Sequence, residues 1–305
     1  MASQELYGRV IEIVTGIQGR EGYKFVAEPE FLNGKSTSLH VDFQVKYSTD
    51  GKPVTGSVSI CNPPDQMVDD LLRGEDSFLS ISAGYTNRFG LLFAGIPIRD
   101  GVSLSKTSAG DVKLQIVAHS GGPRYRRAVS EVSLSGRQTA QAVAEMLVDV
   151  AGTFTFPESK WEIERSDIDP SIIYPRGFVW SGNCVEGLQE IAEYTQTELS
   201  IVGDKVRFLD PDASEVGDGV LVTRFSSMPD LGNLVGSVTR TDKGVKFKGL
   251  LEPSISPGDH VLLEFYDLRM QGWIEERVAV REVTYKGSNY NKDFYVECVG
   301  KILRS

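Results

Sequence analysis

Two stretches of this chain, residues 78–118 and 260–300, lie over one another without a gap, sharing strand length, turn position and phase of alternation. Leu79, Ile81 and Ala83 fall on Val261, Leu263 and Phe265, and Gly90-Leu91-Leu92 falls on Gly272-Trp273-Ile274. Ile96, Ile98 and Arg99 fall on Val278, Val280 and Arg281, while Asp111, Leu114 and Val117 fall on Asp293, Val296 and Val299. Few of these are identities, and ordinary β patterning would produce any one of them. Agreement in all three properties argues for a duplicated strand module, and a repeat of this kind constrains the fold more than any local signal. Upstream, Val54–Pro63 loosely resembles Val245–Pro253.

The rest of the chain fits around that repeat. Tyr7 to Val14 and Leu39 to Val45 alternate with period two, the mark of a strand with one buried face. Asp50-Gly51 signals a hairpin turn before a strand from Val54 to Cys61, which Asn62-Pro63-Pro64 stops. Asp65 to Arg73 predicts a short helix found only in the first copy, and strands resume at Phe78–Tyr85, Leu91–Ile98 and Asp111–Ala118. In the middle, Ala140, Val143, Ala144, Leu147 and Val150 share a helical face, with Gly152 as the stop. A second helix opens at Asn183 and Glu186 in capping-box spacing and carries Leu188, Ile191 and Ala192 inward. Ser200 to Phe208 reads as a tight hairpin. The expected fold is mainly β with a smaller α+β part. Two similar antiparallel β-barrel domains, 1–118 and 220–305, flank a central α+β domain, 119–219.

Composition narrows function by exclusion. A length of 305 residues suits two or three domains, and a net charge of −10 argues against sequence-specific nucleic-acid binding, which needs a basic footprint. Arg124, Arg126 and Arg127 form the one basic run, read as a solvated loop or a salt-bridged interface. No stretch approaches the ~20 apolar residues that insertion in a membrane requires, and Met1-Ala2-Ser3-Gln4-Glu5 lacks the features of a secretory signal. Cys61, Cys184 and Cys298 are far apart and odd in number, as expected of free thiols in a reducing compartment.

The residues that catalysis or a cofactor would need are not arranged for it. His40, His119 and His260 sit on predicted strands or strand ends outside any metal-ligand spacing. There is no nucleophile elbow, P-loop or dinucleotide fingerprint. Asp210-Pro211-Asp212-Ala213-Ser214 suggests a calcium loop, but Glu215 and Leu221 stand where glycine and glutamate are required. The acidic run Glu158, Glu162, Glu164, Asp167 and Asp169 reads as surface rather than as an acid/base pair. No catalytic residue, metal or cofactor is expected.

Three motifs carry a family resemblance. Gly56-Ser57-Val58-Ser59-Ile60-Cys61-Asn62-Pro63, Ser80-Ile81-Ser82-Ala83-Gly84-Tyr85 and Leu91-Leu92-Phe93-Ala94-Gly95-Ile96 follow in the order seen in phage tail and baseplate hub proteins of the late-control D type. Pro175-Arg176-Gly177 before a helix, and the turn Glu252-Pro253-Ser254-Ile255-Ser256-Pro257-Gly258-Asp259, are similar to the same group. The resemblance implies tail-tube-like barrels, a homotrimeric ring without enzymatic activity, and a place in the virion tail after assembly in the host bacterial cytoplasm. Its implied partners are the tail tube protein, a spike or tail-tip protein, and tape-measure and baseplate wedge proteins.

The repeat supplies a reason of its own, since three chains with two barrels each would match a six-fold tube to a three-fold spike. The run Leu91 to Ile96 is apolar on both faces, which suits either an interface or a strand buried within one chain. Leu91, Leu92, Phe93 and Ile96, with Trp273 in the second copy, are the candidate oligomer-interface residues. Net acidity fits a channel wall that DNA slides past without sticking. Three other readings stand beside this one: a tail-tip protein of a non-contractile phage or hub of a phage-derived bacteriocin or secretion device; a peptidoglycan or carbohydrate hydrolase; and a sugar-binding module.

Overall fold

Alternation decides the strands. In β3 (Val41–Tyr47), Val41, Phe43, Val45 and Tyr47 are buried, while Asp42, Gln44 and Lys46 point the other way. The computed structural model describes residues 8–17, 22–27, 39–73, 77–106, 110–120, 128–153, 161–211, 221–228, 232–241, 244–267 and 270–303. The fold is mainly β, as expected, with antiparallel ladders predominating.

The first module runs β1 (Arg9–Ile17), β2 (Tyr23–Ala27), β3, β4 (Thr55–Cys61), β5 (Ser77–Tyr85), β6 (Arg88–Lys106) and β7 (Val112–His119). Helix α1 (Asp65–Arg73) follows Pro63-Pro64 and buries Met67 and Leu71 against the sheet. Asp65 sits favourably in its first turn. The later module runs β15 (Leu221–Ser226), β16 (Thr239–Thr241), β17 (Gly244–Leu250), β18 (His260–Asp267), β19 (Gly272–Ser288) and β20 (Phe294–Leu303).

Hydrogen bonding repeats the same succession. Strand β3 pairs with β4, β4 with β7, β7 with β6 and β6 with β5; likewise β16 pairs with β17, β17 with β20, β20 with β19 and β19 with β18. The last step differs, because β1 joins β5 antiparallel whereas β15 joins β18 parallel.

With β5 set on β18 at the gapless offset, Leu79, Ile81 and Ala83 are buried in phase with Val261, Leu263 and Phe265. With β7 set on β20 likewise, Leu114 and Ile116 are buried in phase with Val296 and Cys298, but the long strand between does not keep that offset. Leu79 pairs with Gly95 where Val261 pairs with Val278, so Gly95 rather than Ile96 stands with Val278. Gly84 pairs with Phe89 where Tyr266 pairs with Trp273, so Phe89 rather than Leu91 stands with Trp273. Past the bend, Leu104 pairs with Leu114 where Tyr285 pairs with Val296. A turn of different length and the bulges explain the slips. The β5–β6 turn is two residues shorter than the β18–β19 turn. In β6 one residue is added opposite Ile81/Ser82 and three between Pro97 and Val102, and in β19 one is added between Val280 and Glu282.

The two modules are also joined to each other. Residues Val283–Ser288 of β19 pair antiparallel with Asp42–Tyr47 of β3, making one sheet ordered β16-β17-β20-β19-β3-β4-β7-β6 and continuing through β5 and β1. One hydrophobic core, from Ile11 to Cys298, lies under both.

The middle of the chain has a core of its own. It is built on α2 (Ala140–Thr153) and α3 (Cys184–Thr195), with strands β8 (Val129–Leu134), β9 (Gln138–Thr139), β10 (Glu162–Ser166), β11 (Ile173–Tyr174), β12 (Phe178–Asn183), β13 (Glu198–Val202) and β14 (Lys205–Leu209). Thr139 Oγ1 accepts from Ala142 N at the start of α2. The helix buries Ala140, Val143, Ala144, Leu147, Val148 and Ala151, runs through Gly152 and leaves Val150 half-buried. Asn183 caps α3, its Oδ1 accepting from Val185 N at 2.8 Å. The predicted hairpin is β13–β14, turning at Gly203 with φ +66°.

Burial under the fused sheet has a consequence at high pH. It pushes the phenols of Tyr47 and Tyr285 and the thiol of Cys298 upward. These groups stay protonated in the folded chain while the unfolded chain loses the thiol proton from about pH 8.5 and the phenol protons from about pH 10. Stability therefore falls as pH rises through that range, by about 1.4 kcal/mol per phenol for each unit above 10. Melting curves between about pH 8 and 11 should show this decline, and Tyr47→Phe should make it shallower; a flat profile above about pH 10 would contradict the assignment.

Candidate assembly surfaces

The sheet junction is the most built feature of the molecule. Across it, Tyr285 stands opposite Val45, its hydroxyl donating to the carbonyls of Ile255 (2.6 Å) and Glu252 (3.0 Å). Its ring meets Tyr47 edge-on at 5.8 Å, and Tyr47 in turn donates to the Leu92 carbonyl. Asn289 closes one end, with Oδ1 accepting from Val41 N (2.8 Å) and Nδ2 donating to Leu39 O (2.7 Å). Phe294 lies against Tyr85, and the Arg9 guanidinium lies over its ring. Beyond these, the β5–β6 hairpin crosses to the later module: Arg88 pairs with Glu252 at 3.2 Å, and a Cβ on Gly90 would stand 3.0 Å from Pro253.

Charged clamps hold the α+β part to both modules. Glu198 accepts from Thr49 of the first module (2.9 Å) and from Arg281 of the later one (2.8 Å), while the backbone of Gly51 donates to Leu199. Arg281 is the residue left out of register at the β19 bulge, which turns its side chain toward Glu198 and the Pro211 carbonyl. Arg207 donates to Glu164 (2.5 Å), to the Pro257 carbonyl (2.6 Å) and to Asp259 (3.3 Å). Arg165 holds Asp167 through two nitrogens at 3.0 Å and reaches the Gly258 carbonyl at 3.2 Å.

These contacts account for much of the acidic run. Burial raises the Glu164 carboxyl, but Lys205 and Arg207 outweigh it and hold it below its ordinary value. Asp169 is lowered by its bonds to Ser171. Glu158, the arginines 124, 126 and 127, and residues 212–215 lie outside the described residues. His260 is buried and its burial, then Arg165 and Arg277, favour the neutral ring. His40 bonds Asp42 at 3.0 Å beside Cys61 and Tyr290. Cys184 and Cys298 are buried free thiols and Cys61 is half-buried. Among the described residues no three His, Cys, Asp or Glu side chains gather as metal ligands.

The candidate interface residues divide. Leu92 and Phe93 are buried within the chain, Phe93 packing where Gly56 leaves room for its ring. Ile96 is half-buried. Leu91 (59% exposed) and Trp273 (49%) face outward, and Phe89, the counterpart of Trp273 in the first module, is also exposed. Phe89 was detectable only through the register, since a gapless alignment sets Leu91 in its place. Sequence reasoning also missed Tyr285, Asn289 and Arg281; an isolated Tyr or Asn in a strand-and-turn segment gives no signal that it crosses a junction.

The face of the sheet opposite the core carries polar side chains on every strand from β16 to β6, with half-buried apolar residues such as Val117 and Val299 among them. Lys46, Lys113, Lys246, Lys248 and Lys286 outnumber Asp42, Glu282 and Glu297 there, so the acidity of the chain is carried elsewhere. Glu297 is raised by burial but more strongly lowered by Lys246 (2.7 Å) and Lys248 (3.4 Å).

No family model and no curated protein matches the sequence. The fold, however, is that of known tail proteins. A tail protein from Neisseria meningitidis MC58 superposes with a TM-score of 0.59 at 9% identity, covering 97% of each chain. The 43 kDa tail protein of prophage MuSo2 from Shewanella oneidensis matches with a TM-score of 0.53 at 9% identity, covering 96% of each. A component of the E. coli type VI secretion system, described as structurally similar to the T4 bacteriophage tail proteins gp27 and gp5, matches with a TM-score of 0.53 at 9% identity over 90% of this chain and 76% of its own.

Proposed function

We propose that this protein is a structural, non-enzymatic hub of a phage-type tail, forming a homotrimeric ring between the tail tube and a central spike or tip, in the virion. The observation that carries the reading is the doubled ladder succession fused into one sheet. Three such chains present six near-equivalent modules to a six-fold tube while keeping the three-fold symmetry of a spike. The end-to-end likeness to tail proteins of Neisseria and Shewanella supports the setting. In this reading residues 1–118 and 220–305 form the ring and 119–219 is carried at its rim, clamped through Glu198 to both modules. Leu91, Phe89 and Trp273 are outward residues available to neighbours.

The polar face of the sheet is then the wall of the passage. Because lysines prevail on it, repulsion from an acidic wall is not what keeps DNA moving; Glu297 ties up Lys246 and Lys248, and small polar residues such as Ser57, Ser59, Ser103 and Ser105 separate the remaining lysines. A secretion-machine hub is the second reading, favoured by the likeness to the E. coli type VI component.

The test is the mass of the purified chain in solution, alone and with tube protein, together with electron micrographs. Trimers, and rings that cap tube ends, are the expected result. A chain that stays monomeric and joins neither tube nor spike protein would refute the proposal.

A further inference from the structure

The junction inside the chain has an unpaired counterpart. Within the chain, β3 of the first module meets the second half of β19 in the later one. The strand corresponding to β3 is β16, and the segment corresponding to that half of β19 is Val102–Lys106 of β6. Strand β16 pairs with β17 alone and Val102–Lys106 with β7 alone, so among the described residues each offers a bare edge. Thr239, Arg240 and Thr241 are exposed, and so are Ser103, Leu104, Ser105 and Lys106. Unblocked edges of this kind are templates for another strand.

We propose that β16 of one chain pairs antiparallel with Val102–Lys106 of a second copy, repeating the β3–β19 ladder between chains. The inference rests on the ring reading above and specifies how the ring closes. The ladders fix the register. Val45 pairs with Gly56 and Gly56 with Ala118; Arg240 pairs with Val245 and Val245 with Gly300, and Ala118 and Gly300 are equivalent. With Leu104 equivalent to Tyr285, the Tyr285–Val45 pair becomes Leu104 opposite Arg240. Thr284–Lys46 becomes Ser103 opposite Thr241, and Lys286–Gln44 becomes Ser105 opposite Thr239.

A second observation points to the same neighbour. Inside the chain the β5–β6 hairpin covers Glu252 and Pro253, which are half-buried. In the corresponding β18–β19 hairpin, Tyr266 and Trp273 stack edge-on at 5.9 Å and remain exposed with Met270, which is 73% accessible. The turn corresponding to Glu252-Pro253 is Pro63-Pro64, where Pro64 is exposed. A second copy docked through the strand edges brings that turn under this hairpin. Both contacts run in the same direction, so the interface is head-to-tail and can close a ring.

The test uses the full chain with Cys61→Ser, adding Ser105→Cys and Thr239→Cys together. Under mild oxidation the expected product on a non-reducing gel is a covalent trimer. Moving one thiol two residues out of register, as Ser103→Cys with Thr239→Cys, should reduce crosslinking about tenfold. Mixing chains that carry Ser105→Cys alone with chains that carry Thr239→Cys alone should stop at dimers. A chain that is trimeric by mass but does not crosslink at 105/239, or crosslinks equally in the shifted control, overturns the strand pairing and leaves the ring. A chain that stays monomeric, or forms the 105–239 bond only within itself, overturns both.

Discussion

Replacing Tyr285 by alanine is expected to cost about 3–5 kcal/mol, the range for emptying a fully buried aromatic site, and to loosen the two modules from each other. Tyr285 is among the largest fully buried side chains, and it does three jobs at once. Its ring packs against Tyr47, its strand segment forms the ladder to β3, and its hydroxyl satisfies the carbonyls of Glu252 and Ile255 in the turn before β18. Tyr285→Phe separates these roles. It keeps the ring and leaves two carbonyls short of a donor, so a loss of about 1–3 kcal/mol is expected. Urea unfolding read by tryptophan fluorescence and by circular dichroism measures both. If Tyr285→Ala lost less than about 1.5 kcal/mol, the junction would not be a packed core.

How much of this was legible beforehand follows from what leaves a mark in sequence. Alternation marked β3, β4, β5 and β7 to within about two residues, because one buried face forces period two. The repeat was legible for the same reason, as β5 on β18 and β7 on β20. The changes of register were not: a β5–β6 turn two residues shorter than the β18–β19 turn leaves no mark in composition, yet it sets Phe89 rather than Leu91 in the place of Trp273. The apolar run Leu91–Ile96 was equally mute about direction. It contains an exposed Leu91 beside a buried Leu92 and Phe93, and only the bulge opposite Ile81/Ser82 determines which is which. The fusion of the modules was hidden because Tyr285, Val45 and Asn289 come from distant parts of the chain and share no local pattern. Net charge was mute as well, since a whole-chain total says nothing about which face carries it.

Replacing Arg207 by methionine is expected to cost about 2–3 kcal/mol at neutral pH, somewhat below the figure for breaking a fully buried ion pair. Its guanidinium faces two carboxylates, Glu164 and the largely buried Asp259, and fastens β14 to the turn at Pro257. Burial already lifts the Asp259 carboxyl above its ordinary value despite Arg207, so removing the cation lifts it further. Glu164, held low by Lys205 and Arg207 against burial, moves up too. Both shifts fix the sign of the pH dependence. A raised carboxyl costs stability when ionised and is relieved by protonation. The wild-type gain from a lowered Glu164 also fades as pH falls. The deficit of the variant should therefore be largest near pH 7 and shrink toward pH 4–5, as measured by thermal melts of both proteins across that range. Arg207→Lys should recover only part of the loss, since a single ammonium cannot reach Glu164, Asp259 and the Pro257 carbonyl with the guanidinium's fork. A deficit constant with pH would show that Arg207 acts through packing of its stem alone, and that the α+β part is held to the later module by shape rather than charge.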